Sequence, residues 1–297
     1  MKKFMPVAVA TIIILLSSCS SKMNAHKNNI SKDNSGKPML LGTVSRSALE
    51  KKPFNEWFDK NYADYKVNDS IANLVNPLLQ NKTIVLFMGT WCGDSRREIP
   101  RMYKILDAAG IKSSQVKLVM VDNHDSTYKQ SPQHEERGLN IHRVPDLLVY
   151  DEDKELGRIV ESPVVSLERD LLSILRHENY VPNYRAVIYM DSLFKKRHIN
   201  EEDLAGLTTV VKPLLKNSAE LNTYGYVLMA AKEMQKAYMI FRLNAMMYPK
   251  VANVFDSMGE YYFNTGDFEK AKECYRKVLE LSRDNENAKK MLEKMGG

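Results

Sequence analysis

The chain has 297 residues, more than the roughly 100–200 of one domain, and 44% of them are apolar; two folded units are expected and extensive disorder is excluded. Its 43 basic and 37 acidic residues give a formal charge of +6, but the signs are mixed and Lys195, Lys196 and Arg197 form only a short cluster, so nucleic acid is not an expected partner. With three cysteines, none at C-x-x-C spacing, and six scattered histidines, the chain is no disulfide-stapled scaffold, shows no metal-ligand pattern and calls for no cofactor.

The first residues have the parts of an export signal: Lys2 and Lys3, an apolar stretch from Met5 to Leu16, then small residues, giving a signal peptide over 1–18. The apolar stretch is short of the roughly 20 residues that a membrane span wants. It ends in Leu16-Ser17-Ser18-Cys19, which resembles the lipobox of bacterial lipoproteins. That resemblance implies lipidation of Cys19 and a membrane-anchored place in the cell envelope, on the periplasmic side of the inner or outer membrane. An ordinary signal peptide with an incidental cysteine is the alternative. Residues 19–44 are dominated by Asn, Ser and Lys and read as a flexible tether.

From 45 to 180 the pattern is that of a mixed α/β unit with a helical extension at its start. Phe54, Trp57, Phe58 and Tyr62, then Ile71, Leu74, Leu78 and Leu79, mark two helical stretches before residue 80. Thr83–Met88 and Val116–Val121 are continuous apolar runs of buried strands. Leu147–Tyr150 and Leu156–Val160 pair as a hairpin across Asp151–Lys154. Ile99, Met102, Tyr103, Ile105 and Leu106 recur at helical spacing over 94–109, and Leu167, Leu171, Leu172 and Leu175 over 166–177. The order strand, helix, strand, short helix, hairpin, helix predicts a mixed sheet with helices on both faces.

Between the first strand and its helix lies Thr90-Trp91-Cys92-Gly93-Asp94-Ser95-Arg96-Arg97-Glu98-Ile99-Pro100, and Arg143-Val144-Pro145-Asp146-Leu147 precedes a later strand. Together these resemble the thioredoxin superfamily, most closely its membrane-tethered TlpA and ResA type, whose motif is Trp-Cys-x-x-Cys-(basic)-x-Glu-x-Pro. Ser95 stands where that family has its second cysteine. The resemblance covers residues 65–178 and implies a thioredoxin-like sandwich with a cis peptide bond before Pro145. It makes Cys92 the nucleophile, with Ser95, Glu98 and Pro145 completing the catalytic set and Trp91, Val144 and Pro145 meeting substrate. A cysteine at a helix N-terminus is favoured as thiolate by the unpaired N–H groups there. For Glu98 two readings stand, a tuner of Cys92 or a helix carboxylate paired with a neighbouring Arg. Asp94 can cap the helix but opposes thiolate by its charge, and His142 and Arg143 are either positive neighbours of the thiol or plain surface groups. Cys274 reads as structural.

From 182 to 297 the pattern is helix only. Leu221, Tyr224, Gly225, Leu228, Ala237, Phe241 and Pro249 are matched at constant offset by Phe255, Met258, Gly259, Tyr262, Ala271, Tyr275 and Arg283. This resembles the tetratricopeptide repeat, with copies over 218–251 and 252–285 and capping helices on either side. The expectation is therefore an α/β thioredoxin-like unit followed by an all-α repeat domain that binds an unknown protein or peptide. A lone thiol exchanges with protein thiols and disulfides only if an external thiol resolves the mixed disulfide. The competing reading is a non-enzymatic protein-binding scaffold on a degenerate thioredoxin fold.

Overall fold

The structure is a computed structural model in which residues 29–296 are described; the export signal over 1–18 and the lipid site at Cys19 lie outside them. Strands β1 (Asn29–Lys32), β2 (Pro38–Val44), β3 (Lys82–Met88), β4 (Val116–Met120), β5 (Asp146–Asp151) and β6 (Lys154–Val160) form a six-stranded mixed sheet in the order β1-β2-β4-β3-β5-β6. β3 and β4 run parallel with Leu86 opposite Leu118, and the other neighbours are antiparallel. The central strands are apolar on both faces: Ile84, Leu86, Met88, Leu118, Met120 and Val149 enter one core, while Phe87, Val119 and Leu148 enter another.

Two expectations are corrected. Residues 38–44 are a strand and not tether: Gly42 pairs with Met120, and Met39, Leu40 and Val44 are buried. Each such side chain gains roughly 1.5–3 kcal/mol on burial, which offsets the ordering of a short segment whose polar flanks hide it in the sequence. Helices also cover only one face. α1 (Asn55–Asp64), α2 (Asp69–Val75), α3 (Gly93–Ala108) and α4 (Leu167–Leu175) all feed the first core through Phe58, Val75, Ile105 and Leu171. The second core is closed by Val121, Leu139, Ile141 and Val144 of the connection from β4 to β5. That connection cannot hold a helix, because Lys129, His134, Gly138 and Asn140 take left-handed backbone angles; a single 3-10 turn at Asp125–Thr127 remains.

The chain continues as α5 (Arg185–Lys196), α6 (Glu201–Val211), α7 (Ala219–Ala230), α8 (Met234–Met247), α9 (Ala252–Thr265), α10 (Phe268–Leu281) and α11 (Glu286–Lys294). The pairs α7/α8 and α9/α10 follow the sequence period, and their packing explains its glycines. A Cβ on Gly225 would stand 2.5 Å from the Phe241 ring, and one on Gly259 would stand 3.0 Å from Tyr275. Ala237 and Ala271 are fully buried. A buried polar network locks the two copies together: Asn222 donates to Ser257 Oγ at 2.9 Å, and Asn244 donates to Asn222 Oδ1 at 2.7 Å. No helix among the described residues is long and apolar enough to cross a membrane.

The helices meet the sheet unit at the rim of the second core. Arg143 donates to the Ala219 carbonyl at 3.2 Å, Asn183 donates to the Ser162 carbonyl at 2.9 Å, and the Tyr184 hydroxyl bonds Glu161. The rings of Tyr184 and Tyr224 stand edge-on to His142.

Candidate active site

Cys92 is the N-cap of α3, reached by a tight turn in which its N–H donates to the Gly89 carbonyl at 3.0 Å. Gly89 is required there because a Cβ would lie 2.3 Å from the Trp91 indole, which folds back over it. Trp91 is fixed in turn by its Nε1–H, which donates to the Val121 carbonyl at 2.9 Å. Thr90 ties the turn to the strand that the sequence concealed, its hydroxyl accepting from Leu40 N–H at 3.2 Å. Beyond the turn, α3 runs unbroken through Pro100. Pro100 has no N–H for the Arg96 carbonyl, and the Asn61 side chain donates to that carbonyl instead at 3.2 Å.

The thiol is half-buried and faces the loop before β5, donating to the Val144 carbonyl at 3.2 Å. The Val144–Pro145 peptide bond is cis. Cys92, Trp91, Val144 and Pro145, assigned to one site from the sequence, thus meet in one place. Ser95 and Glu98 do not join them at the sulfur. Ser95 is fully buried, and its hydroxyl accepts from Gly89 N–H at 3.4 Å. Glu98 is buried against Arg97 at 2.6 Å and Arg101 at 3.4 Å. Asp94 is taken up by Arg97 at 2.7 Å.

The loop that carries Pro145 decides the electrostatics. His142 is no positive neighbour: burial lowers its pKa to about 3, its Nδ1–H donates to the Asn140 carbonyl at 3.1 Å, and Nε2 has no partner. Arg143 pairs with Glu161 at 3.3 Å and lies 4.9 Å from the Tyr184 ring. Lys129, passed over in the sequence because a buried lysine in a polar loop carries no periodic signal, is 4% exposed. Its ammonium donates to the His142 carbonyl at 2.7 Å and lies 4.4 Å from the Tyr128 ring. Tyr128 in turn contacts Trp91, with ring centroids 6.5 Å apart.

The far side of Tyr128 lines a groove of about 900 Å³ between the β4–β5 connection and the repeat helices α7 and α9, with Asp125, Tyr226, Met229, Glu260 and Asn264 among its walls. Tyr226 and Glu260, at equivalent positions of adjacent repeats, are joined by a hydrogen bond of 2.8 Å. Cys274 is also half-buried but sits on α10, and burial pushes its thiol up to about 11.

The tetratricopeptide repeat family model matches residues 252–285, the second of the two copies. Such repeats generally mediate protein–protein contacts. Neither curated proteins nor solved structures give a match to the chain.

Proposed function

We propose that this chain is a thioredoxin-like, monothiol exchange protein of the bacterial envelope, anchored through Cys19, with a thiol unit that takes in the strands from 29 and runs to 180, and a repeat domain over 182–297 that recruits its protein client. The observation that carries this reading is the half-exposed Cys92 thiol at the N-terminus of α3, 3.2 Å from the carbonyl before Pro145. A thiol so placed can be approached by an extended chain along the Val144–Pro145 loop.

In the step proposed, the thiol proton passes to buffer and the sulfur attacks one sulfur of a client disulfide. The client S–S bond breaks, the Cys92–client S–S bond forms, and the second client sulfur leaves as thiolate. Ser95 cannot displace Cys92 from that adduct, so a thiol of the client or of a third protein completes the exchange. The groove that shares Tyr128 with the thiol site supports recruitment by the repeats, since a chain lying in it touches the ring that packs against Trp91.

The scaffold reading is favoured by one observation: the helical region is bonded to the site's own loop through Arg143 and Glu161, as a purely structural unit would be. Trapping separates the two. Envelope preparations quenched with acid and alkylating agent are expected to hold disulfide-linked complexes of the unaltered chain that vanish in Cys92→Ala. Identical complexes in both, or none in either, leave the scaffold.

A further inference from the structure

Around Cys92 most charges are taken up in pairs, and the Arg96 guanidinium donates to the Thr90 carbonyl. Asp94 is bound by Arg97 and Glu161 by Arg143. Across the neighbouring cavity Asp191 is bound by Lys195, Glu233 by Lys236, and Glu136 by His134. His142 is neutral through burial. Lys129 alone is a buried cation whose ammonium meets a carbonyl and an aromatic face, with no carboxylate among the described residues bridging to it. A buried ammonium left without an anion is costly and is retained where a negative charge comes and goes. The group close by that can become one is Cys92: its Sγ holds the Val144 carbonyl while Lys129 Nζ holds the His142 carbonyl, two residues earlier in the same loop.

We propose that Lys129 is the counter-cation of Cys92, its ammonium holding the thiolate from which exchange begins. The inference rests on Cys92 being the nucleophile and adds the residue that sets its charge state; Lys129 is a positioning group that acts through the sulfur. When the thiol ionises, its proton goes to buffer, the sulfur keeps the electron pair, and Lys129 holds its own proton more firmly. The ammonium's own balance agrees: burial and then the Arg143 charge lower its pKa to about 7, against the Cys92 sulfur and Glu161, which act to raise it. Coupling of this kind is reciprocal, so each group moves the other's titration.

The test is the pH profile of Cys92 alkylation by iodoacetamide in the full chain, read by peptide mass. Lys129→Met is expected to slow alkylation about tenfold at neutral pH while leaving the alkaline plateau unchanged, and Lys129→Arg to keep the neutral rate. A profile unmoved in Lys129→Met, or altered alike in both variants, overturns the assignment. A second arm leaves Lys129 intact: in Cys92→Ser the side-chain NMR titration of Lys129 shifts to lower pH, and an unshifted titration overturns the assignment as well. An unaltered chain whose Cys92 never alkylates overturns the nucleophile reading itself, whereas a reactive Cys92 indifferent to Lys129 overturns only the counter-cation.

Discussion

Cys92 and Cys274 are both half-buried, yet their surroundings differ. On α10, burial and the neighbouring Glu273 push the Cys274 thiol up to about 11, so almost none of it is thiolate at neutral pH and its alkylation is expected to be slow in the folded chain. Denaturation should abolish that difference between the two thiols. His142 makes a second prediction at this scale. Its folded pKa, about 3, lies below its ordinary value near 6.5, so as pH falls through that ordinary value the unfolded chain takes up a proton that the folded chain refuses. Stability is then lost at about 1.4 kcal/mol per pH unit until the folded pKa is reached. His142→Phe keeps a ring between Tyr184 and Tyr224 and should flatten that acid limb in urea unfolding followed against pH. The motif residues Trp91, Cys92 and Pro145 were legible because each has a distinctive type at a fixed spacing. Lys129 was not, since nothing in Tyr128-Lys129-Gln130 tells a buried ammonium from a solvated one.

Among the elements, the repeat helices carry the sharpest prediction. Gly225→Ala places a methyl group 2.5 Å from the Phe241 ring, whereas Gly259→Ala places one 3.0 Å from Tyr275. Overpacking of this size costs about 1–3 kcal/mol, so both should lower the unfolding midpoint, Gly225→Ala the more. Equal midpoints for the two would contradict the packing described. These helices were legible because the same residue pair, glycine against an aromatic sixteen positions on, serves both copies. β3 and β4 were legible as continuous apolar runs, and β5 and β6 as a hairpin across Asp151–Lys154. β2 was not, because Met39 and Leu40 are one brief apolar step within Asn, Ser and Lys, and only pairing with β4 makes them core. The expected second layer of helices failed for a related reason: the β4–β5 connection closes its core with a few apolar residues separated by left-handed turns, without helical period.

Over the whole molecule, the thiol site and the repeats share one loop. Residues 121–145 cover the second core, carry the buried Lys129, bring the Val144 carbonyl to Cys92, and bond to α7 through Arg143. Arg143→Ala removes the Glu161 pair and the Ala219 contact together, and is expected to speed limited proteolysis in the connection over 177–184 without altering the cleavage pattern within either unit. The central claim is that this arrangement holds a single thiol ready for exchange. Its most direct measurement is peptide-mapping mass spectrometry of the folded chain after brief exposure to glutathione disulfide at neutral pH. The account predicts a glutathione adduct on Cys92 and none on Cys274; an unmodified Cys92, or an adduct on Cys274 alone, would contradict it.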